Sequence, residues 1–140
     1  MMKIHCSFSV IPIDAASARM RSQSASTGAE VCFVGTVRPK RDEREVLHLE
    51  FEAYESMALK ELQSIAKTCG ERWPLEEVVL IHRLGIVSAG EVAVVLWVFS
   101  NHRKEAFEAS MFIMDELKKK VPIWKKEVYS DGASWISSTP

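Results

Sequence analysis

Hydrophobic and polar positions alternate along Lys3–Ile13, and this period of two predicts a first strand with Pro12 near its end. Asp14 offers an N-cap for a short predicted helix, AASARMRSQ, and Ser22–Gly28 reads as a small-residue loop. Ala29–Val37, AEVCFVGTV, is nearly continuous apolar sequence, which predicts a buried strand. Gly35 within it marks a bulge or a close backbone approach, and Cys32 reads as a small core residue. The charged stretch RPKRDEREV then reads as a mobile connection. Leu47–Tyr54 alternates as a strand with one wet face. Helical spacing follows from a Ser56 cap through Arg72, where Trp73-Pro74 ends it. Glu77–Ile86 and Glu91–Ser100 are β-branched runs joined at Ala89-Gly90, a predicted hairpin. The longest predicted helix runs from about His102 to Lys120; Pro122 stops it, and Trp124–Val128 reads as a short last strand.

The order β-α-β-β-α-β-β-α-β predicts an α+β domain, with helices packed on a mainly antiparallel sheet. At 140 residues, one domain spanning 1–140 is expected. A fold class carries no function by itself.

Eighteen Lys and Arg against nineteen Asp and Glu leave a net charge of -1, so any anion binding has to be local. The balance argues against a nucleic-acid binder. No run is long and apolar enough to span a bilayer. Three cysteines, odd in number and without CxxC pairing, argue against a disulfide framework and for a reducing cytoplasm. The histidines show no metal-ligand spacing, and His82 beside Arg83 on an apolar strand reads as structural.

Candidate chemistry concentrates in Ser100–Glu127. At about 100° per residue, Phe107, Met111, Met114 and Lys118 share one side of the long helix. That side reads as the apolar stripe, where an ammonium is costly unless used or relieved. Lys118 then has two readings: a lysine whose stem lies on the core edge while its head reaches water, or a partly desolvated amine. His102 and Arg103 open the helix, where exposed backbone N–H groups and a guanidinium favour an anion; a solvated helix start, capped by Asn101 or Ser100, is the plainer alternative. Arg38, leaving a strand before Pro39, is a candidate ligand for phosphate or carboxylate. Lys40, Arg41 and Arg44 alternate with acids and read as a solvated loop.

FVGTVR (Phe33–Arg38), ERWPL (Glu71–Leu75), IHRLG (Ile81–Gly85), SNHRKEAFEA (Ser100–Ala109) and FIMDELKKKVPIWKKE (Phe112–Glu127) together resemble the large, catalytic subunit of molybdopterin synthase. The resemblance covers about Gly28–Trp135. It implies an α/β-hammerhead-type fold and a homodimer at the centre of a heterotetramer. Each end would receive a small ubiquitin-like sulfur-carrier subunit with a C-terminal Gly-Gly thiocarboxylate. Sulfur would pass to cyclic pyranopterin monophosphate, forming the dithiolene of molybdopterin. No metal or other cofactor is implied for this subunit. Residue by residue, the resemblance implies Lys118 as the principal catalytic amine and Lys125 as the residue that positions substrate and offsets negative charge. It implies Arg38, His102 and Arg103 as ligands of the pterin phosphate, and Phe33 and Met114 as pocket residues.

Two departures stand out. Some relatives carry an arginine near the C-terminus that reaches across the dimer; this tail reads WISSTP, with Thr139 near the equivalent place and no arginine after Arg103. The loop Pro39–Glu45 also lacks the glycine and asparagine of relatives. The rival reading is a non-catalytic module that docks a ubiquitin-like partner or a phosphorylated small molecule.

Overall fold

The structure, a computed structural model, describes residues 2–15, 27–132 and 134–139. The helix expected over AASARMRSQ lies outside the described residues from position 16 onward. The described elements run β1 (Lys3–Ser9), β2 (Ala29–Thr36), β3 (Lys40–Arg41), β4 (Arg44–Ala53), α1 (Glu55–Arg72), β5 (Leu75–Arg83), β6 (Gly85–Ser88), β7 (Val92–Ser100), α2 (Arg103–Lys120), β8 (Ile123–Tyr129) and β9 (Ser134–Thr139). One sheet has the order β1-β5-β7-β2; the second has β3-β4-β8-β9, with β6 also paired to β4. Only the β1–β5 pair is parallel among these ladders. The expected α+β class with a mainly antiparallel sheet is borne out.

The central strands β5 and β7 are covered on both faces, which explains their unbroken apolar runs. Val78, Leu80, Leu96 and Val98 join the main core beneath the helices, while Val79, Ile81, Val95 and Phe99 form a second cluster on the opposite face. Each such aliphatic side chain, fully buried, contributes roughly 1.5–3 kcal/mol. α2 meets the sheet through Ala106, Ala109, Ser110, Ile113 and Leu117. Small side chains at three of these positions let the helix axis approach the strands closely.

Several expectations change. The run Glu77–Ile86 is not one hairpin strand. It breaks at Leu84, and Gly85 turns at φ 85°, so that β6 leaves the first sheet and pairs with β4 in the second. The Arg83 guanidinium, itself buried, donates to the Ile86 carbonyl at 2.9 Å and ties this crossover down. Ser56 does not cap α1; the N-cap is Tyr54, which makes no side-chain capping bond. The C-terminal strand β9, absent from the hydrophobic pattern, pairs with β8 from Ile123↔Thr139 to Val128↔Ser134.

β2 also differs from its reading. Apolar almost throughout, it is nevertheless the sheet edge, with Phe33 at 40% and Val34 at 41% exposure. Cys32 is exposed rather than a core residue. The role expected of Gly35 is borne out twice: the register shifts between Gly35 and Thr36, and a Cβ on Gly35 would lie 2.8 Å from Val94 and 3.2 Å from the Phe33 ring. The bulge re-aims the chain just before Arg38.

The charged stretch expected to be a mobile connection is a tight hairpin. Lys40 pairs with Glu45 and Arg41 with Arg44. Asp42 and Glu43 make the two-residue turn with φ 49° and 71°, a left-handed conformation that costs non-glycine residues about 1–2 kcal/mol each. Contacts to β8 hold it there. The Arg44 guanidinium lies 4.0 Å from the Tyr129 ring centre and pairs with Asp131 at 3.1 Å, and Arg41 bonds to Glu127.

Candidate active site

Where the end of β2, the β3–β4 hairpin, α2 and β8 meet, they leave a pocket of about 540 Å³, a size suited to a small-molecule ligand. Five of the residues singled out from the sequence line it: Phe33, Arg38, Met114, Lys118 and Lys125. They come from three separate elements and the loop after β2, so only the fold brings them together.

Lys118 is not on the buried row of α2. That row is Ala106, Ala109, Ser110, Ile113 and Leu117, and Lys118 stands about 120° round from its centre on an ideal helix. Phe107 and Met111, read as its apolar companions, are 62% and 65% exposed. The ammonium is therefore exposed at the pocket rim. Lys120, on the solvent side, pairs with Glu116 at 3.1 Å. Lys118 and Lys125 have no ion-pair partner among the described residues, which leaves both amines open to a ligand. Lys125 is half-buried, and strand alternation puts it on the same face of β8 as Ile123 and Glu127.

His102 and Arg103 lie elsewhere. His102 is the N-cap of α2 without a side-chain capping bond, and the Ser100 hydroxyl donates to its carbonyl at 2.6 Å. Both residues are exposed. Fifteen residues separate Arg103 from Lys118, about 22 Å along the helix at 1.5 Å per residue.

Polar residues outside the candidate set also line the pocket, among them His82, Arg41 and Glu127. His82, at its floor, is 6% exposed; its Nδ1 donates to the Arg83 carbonyl at 2.7 Å, and its ring meets the Phe51 ring edge-on at 5.0 Å. Burial pushes its pKa below the ordinary histidine value, against the opposing pull of that hydrogen bond, so the ring is neutral near pH 7. Arg41 and Glu127 complete the wall as an ion pair. The signal for Glu127 was its place two residues after Lys125 on a strand. Arg41 carried none, because alternating charge is also what a solvated loop shows.

The pocket is strongly cationic. Arg38, Lys40, Arg41, Lys118 and Lys125 line it against one carboxylate, Glu127, which Arg41 already engages. With a net charge of only -1 on the whole chain, this is the local excess that anion binding requires. Cysteine nucleophilic chemistry is disfavoured. Burial pushes Cys6 up to about 11 and Cys69 up to about 12, and Cys32 is raised by burial and by the Glu30 charge. None of the three lines the pocket. Among the described residues, no group of three or more His, Cys, Asp or Glu is placed to hold a metal ion. No helix among them is long and apolar enough to cross a membrane.

The family model described as MoaE protein matches residues 8–120. The molybdopterin synthase catalytic subunit of Pyrococcus abyssi is 43% identical over 113 residues, which are 81% of this chain and 76% of that protein. The crystal structure of molybdopterin synthase from Staphylococcus aureus superposes with a TM-score of 0.86 at 34% identity, over 93% of this chain and 94% of that one. A complex of subunits 1 and 2 of molybdopterin-converting factor from Helicobacter pylori shares the fold, with a TM-score of 0.71 at 22% identity over 93% of this chain and 86% of that chain. Match length, identity and fold agree with the cationic pocket: the chain belongs to the MoaE protein family, that of the molybdopterin synthase catalytic subunits.

Proposed function

We propose that this chain, as a single catalytic-subunit domain, moves sulfur from the C-terminal thiocarboxylate of a small ubiquitin-like carrier to cyclic pyranopterin monophosphate, building the molybdopterin dithiolene. The carrying observation is the convergence of Lys118, Lys125 and Arg38 on one open pocket with a large positive excess. Both reactants are anions, and clustered cations draw them together and offset charge that develops between them. Lys118 at the rim is the principal catalytic amine, assisting proton transfer or sulfur delivery. Lys125, half-buried, positions the substrate. Phe33 and Met114 supply the apolar wall. The absence of a cysteine from the pocket fits sulfur that arrives on a partner.

A carrier partner accords with the two-subunit complex that shares this fold. A homodimer accords with the exposed apolar side chains of β2 and α2, Phe33, Val34, Phe107 and Met111. It also gives His102 and Arg103 a route to the phosphate. At about 22 Å from Lys118 within one chain, they serve the same small substrate only when a second copy presents them. The assembly is then a heterotetramer, and three free thiols suit the reducing cytoplasm.

The test is reconstitution. Purified chain, thiocarboxylated carrier and cyclic pyranopterin monophosphate are combined and molybdopterin is assayed. Lys118→Ala is expected to lower turnover by about 100-fold or more, the usual scale for a lost proton-transfer group. Wild-type turnover by that variant sinks the role given to Lys118. Carrier binding without product from wild type shifts the reading to a docking module.

A further inference from the structure

We propose that Arg41 is a further anion-binding residue of this pocket, oriented by Glu127, so that the substrate phosphate is held by a guanidinium of the β3–β4 hairpin as well as by Arg38. The inference rests on the sulfur-transfer reading only for the identity of the phosphate compound.

Three observations carry it. Arg41 lines the same pocket as Lys118 and Lys125. Its Nη1 bonds to Glu127 Oε2, and no other side-chain partner of Arg41 is found among the described residues. A guanidinium has five N–H donors, so most remain for a ligand, and their fork matches two oxygens of a phosphate. Glu127 is the anchor: its side chain is 8% exposed, and Tyr129 donates to the same oxygen at 3.5 Å.

The backbone is built for the same end. The hairpin is pinned on both sides of Arg41, by Val46 N–H to the Pro39 carbonyl at 2.9 Å and by Ser130 N–H to the Glu45 carbonyl at 3.0 Å. Arg44 holds it again through Tyr129 and Asp131. An arginine is usually costly to immobilise because of its rotamer freedom. Here the hairpin backbone and the bond to Glu127 restrain the side chain before the ligand arrives, which is the geometry of a partly preorganised anion clamp.

The competing account makes Arg41 a neutraliser that merely hides the Glu127 charge from an anionic ligand. The two accounts separate in a double variant. Affinity for cyclic pyranopterin monophosphate is measured by calorimetry on the whole chain, which needs no turnover, alongside kcat and KM in the carrier-reconstituted complex. Arg41→Ala is expected to weaken binding by about tenfold or more, the scale of a lost charge-assisted hydrogen bond, and to raise KM far more than it lowers kcat. Arg41→Lys, which keeps charge but loses the fork, should recover only part of this. Arg41→Ala with Glu127→Gln should stay weak. Wild-type affinity in Arg41→Ala, or its recovery in the double variant, overturns the proposal. If Arg41→Ala weakens binding while even wild type makes no product, the sulfur-transfer reading fails and the clamp stands. Normal turnover and unchanged KM in Arg41→Ala leave the reverse. A wild-type chain that neither binds the compound nor turns it over overturns both.

Discussion

The interior of the first sheet and the wall of the pocket lie side by side and obey different rules. Leu117 is 6% exposed within the core, while Lys118, the next residue, stands in solvent at the pocket rim. On β8, Ile123 is buried in the core while Lys125, on the same face, reaches the cavity. The interior is apolar, closely packed and fixed by area removed from water. The wall is made of cations whose mutual repulsion is unfavourable, and which persist because solvent screens them and Glu127 offsets one. Stability is concentrated in the first region and positive charge in the second, although single residues separate them.

Substitutions can break that division. The largest expected effect is in the interior. Leu96 has no exposed surface, and Leu96→Ala should cost about 2–5 kcal/mol through lost transfer energy and a residual cavity. Urea unfolding measures it, and a cost below about 1 kcal/mol would show that the sheet is not the stabilising layer.

His82 lies on the boundary between the two regions, and pH should expose it. Its folded pKa is depressed, so below about pH 6.5 the unfolded chain binds a proton that the folded chain refuses. Stability is then full above that value. It should fall on acidification, by up to about 1.4 kcal/mol per pH unit, until the folded pKa is reached. His82→Gln should flatten this slope between pH 7 and 5. An unchanged slope in the variant would assign the acid sensitivity to other groups.

The smallest effect belongs to the wall. Lys118→Ala should change unfolding free energy by no more than about 0.5 kcal/mol, as expected for an exposed side chain outside any cap or network. A substantially larger loss would mean that the ammonium supports the fold, and would merge the two regions at this point.

Legibility followed the same boundary. Strands β5 and β7 and both described helices were readable because burial imposes a period on the sequence. The crossing of β6 into the second sheet was not, since a glycine at φ 85° and an arginine tied to a carbonyl three residues on leave no periodic trace. β2 misled for a related reason: apolar content records that a surface is covered, but not whether the chain itself or a partner covers it. Lys118 was singled out by helical position, although the row it shares with Phe107 and Met111 proved exposed.

By itself the sequence determined the α+β class, the principal elements and the family, because local periodicity and contiguous motifs such as FIMDELKKKVPIWKKE are one-dimensional signals. The tertiary structure decided which charges meet. It gathered Arg38, Arg41, Lys118 and Lys125 around one cavity and left His102 and Arg103 at the far end of α2. It also turned a charged connection into a pinned hairpin by setting Arg41 on Glu127, 86 residues away. Pairings over that distance depend on strand register and on the angle at which sheets meet, and neither is written in the order of residues along a single segment.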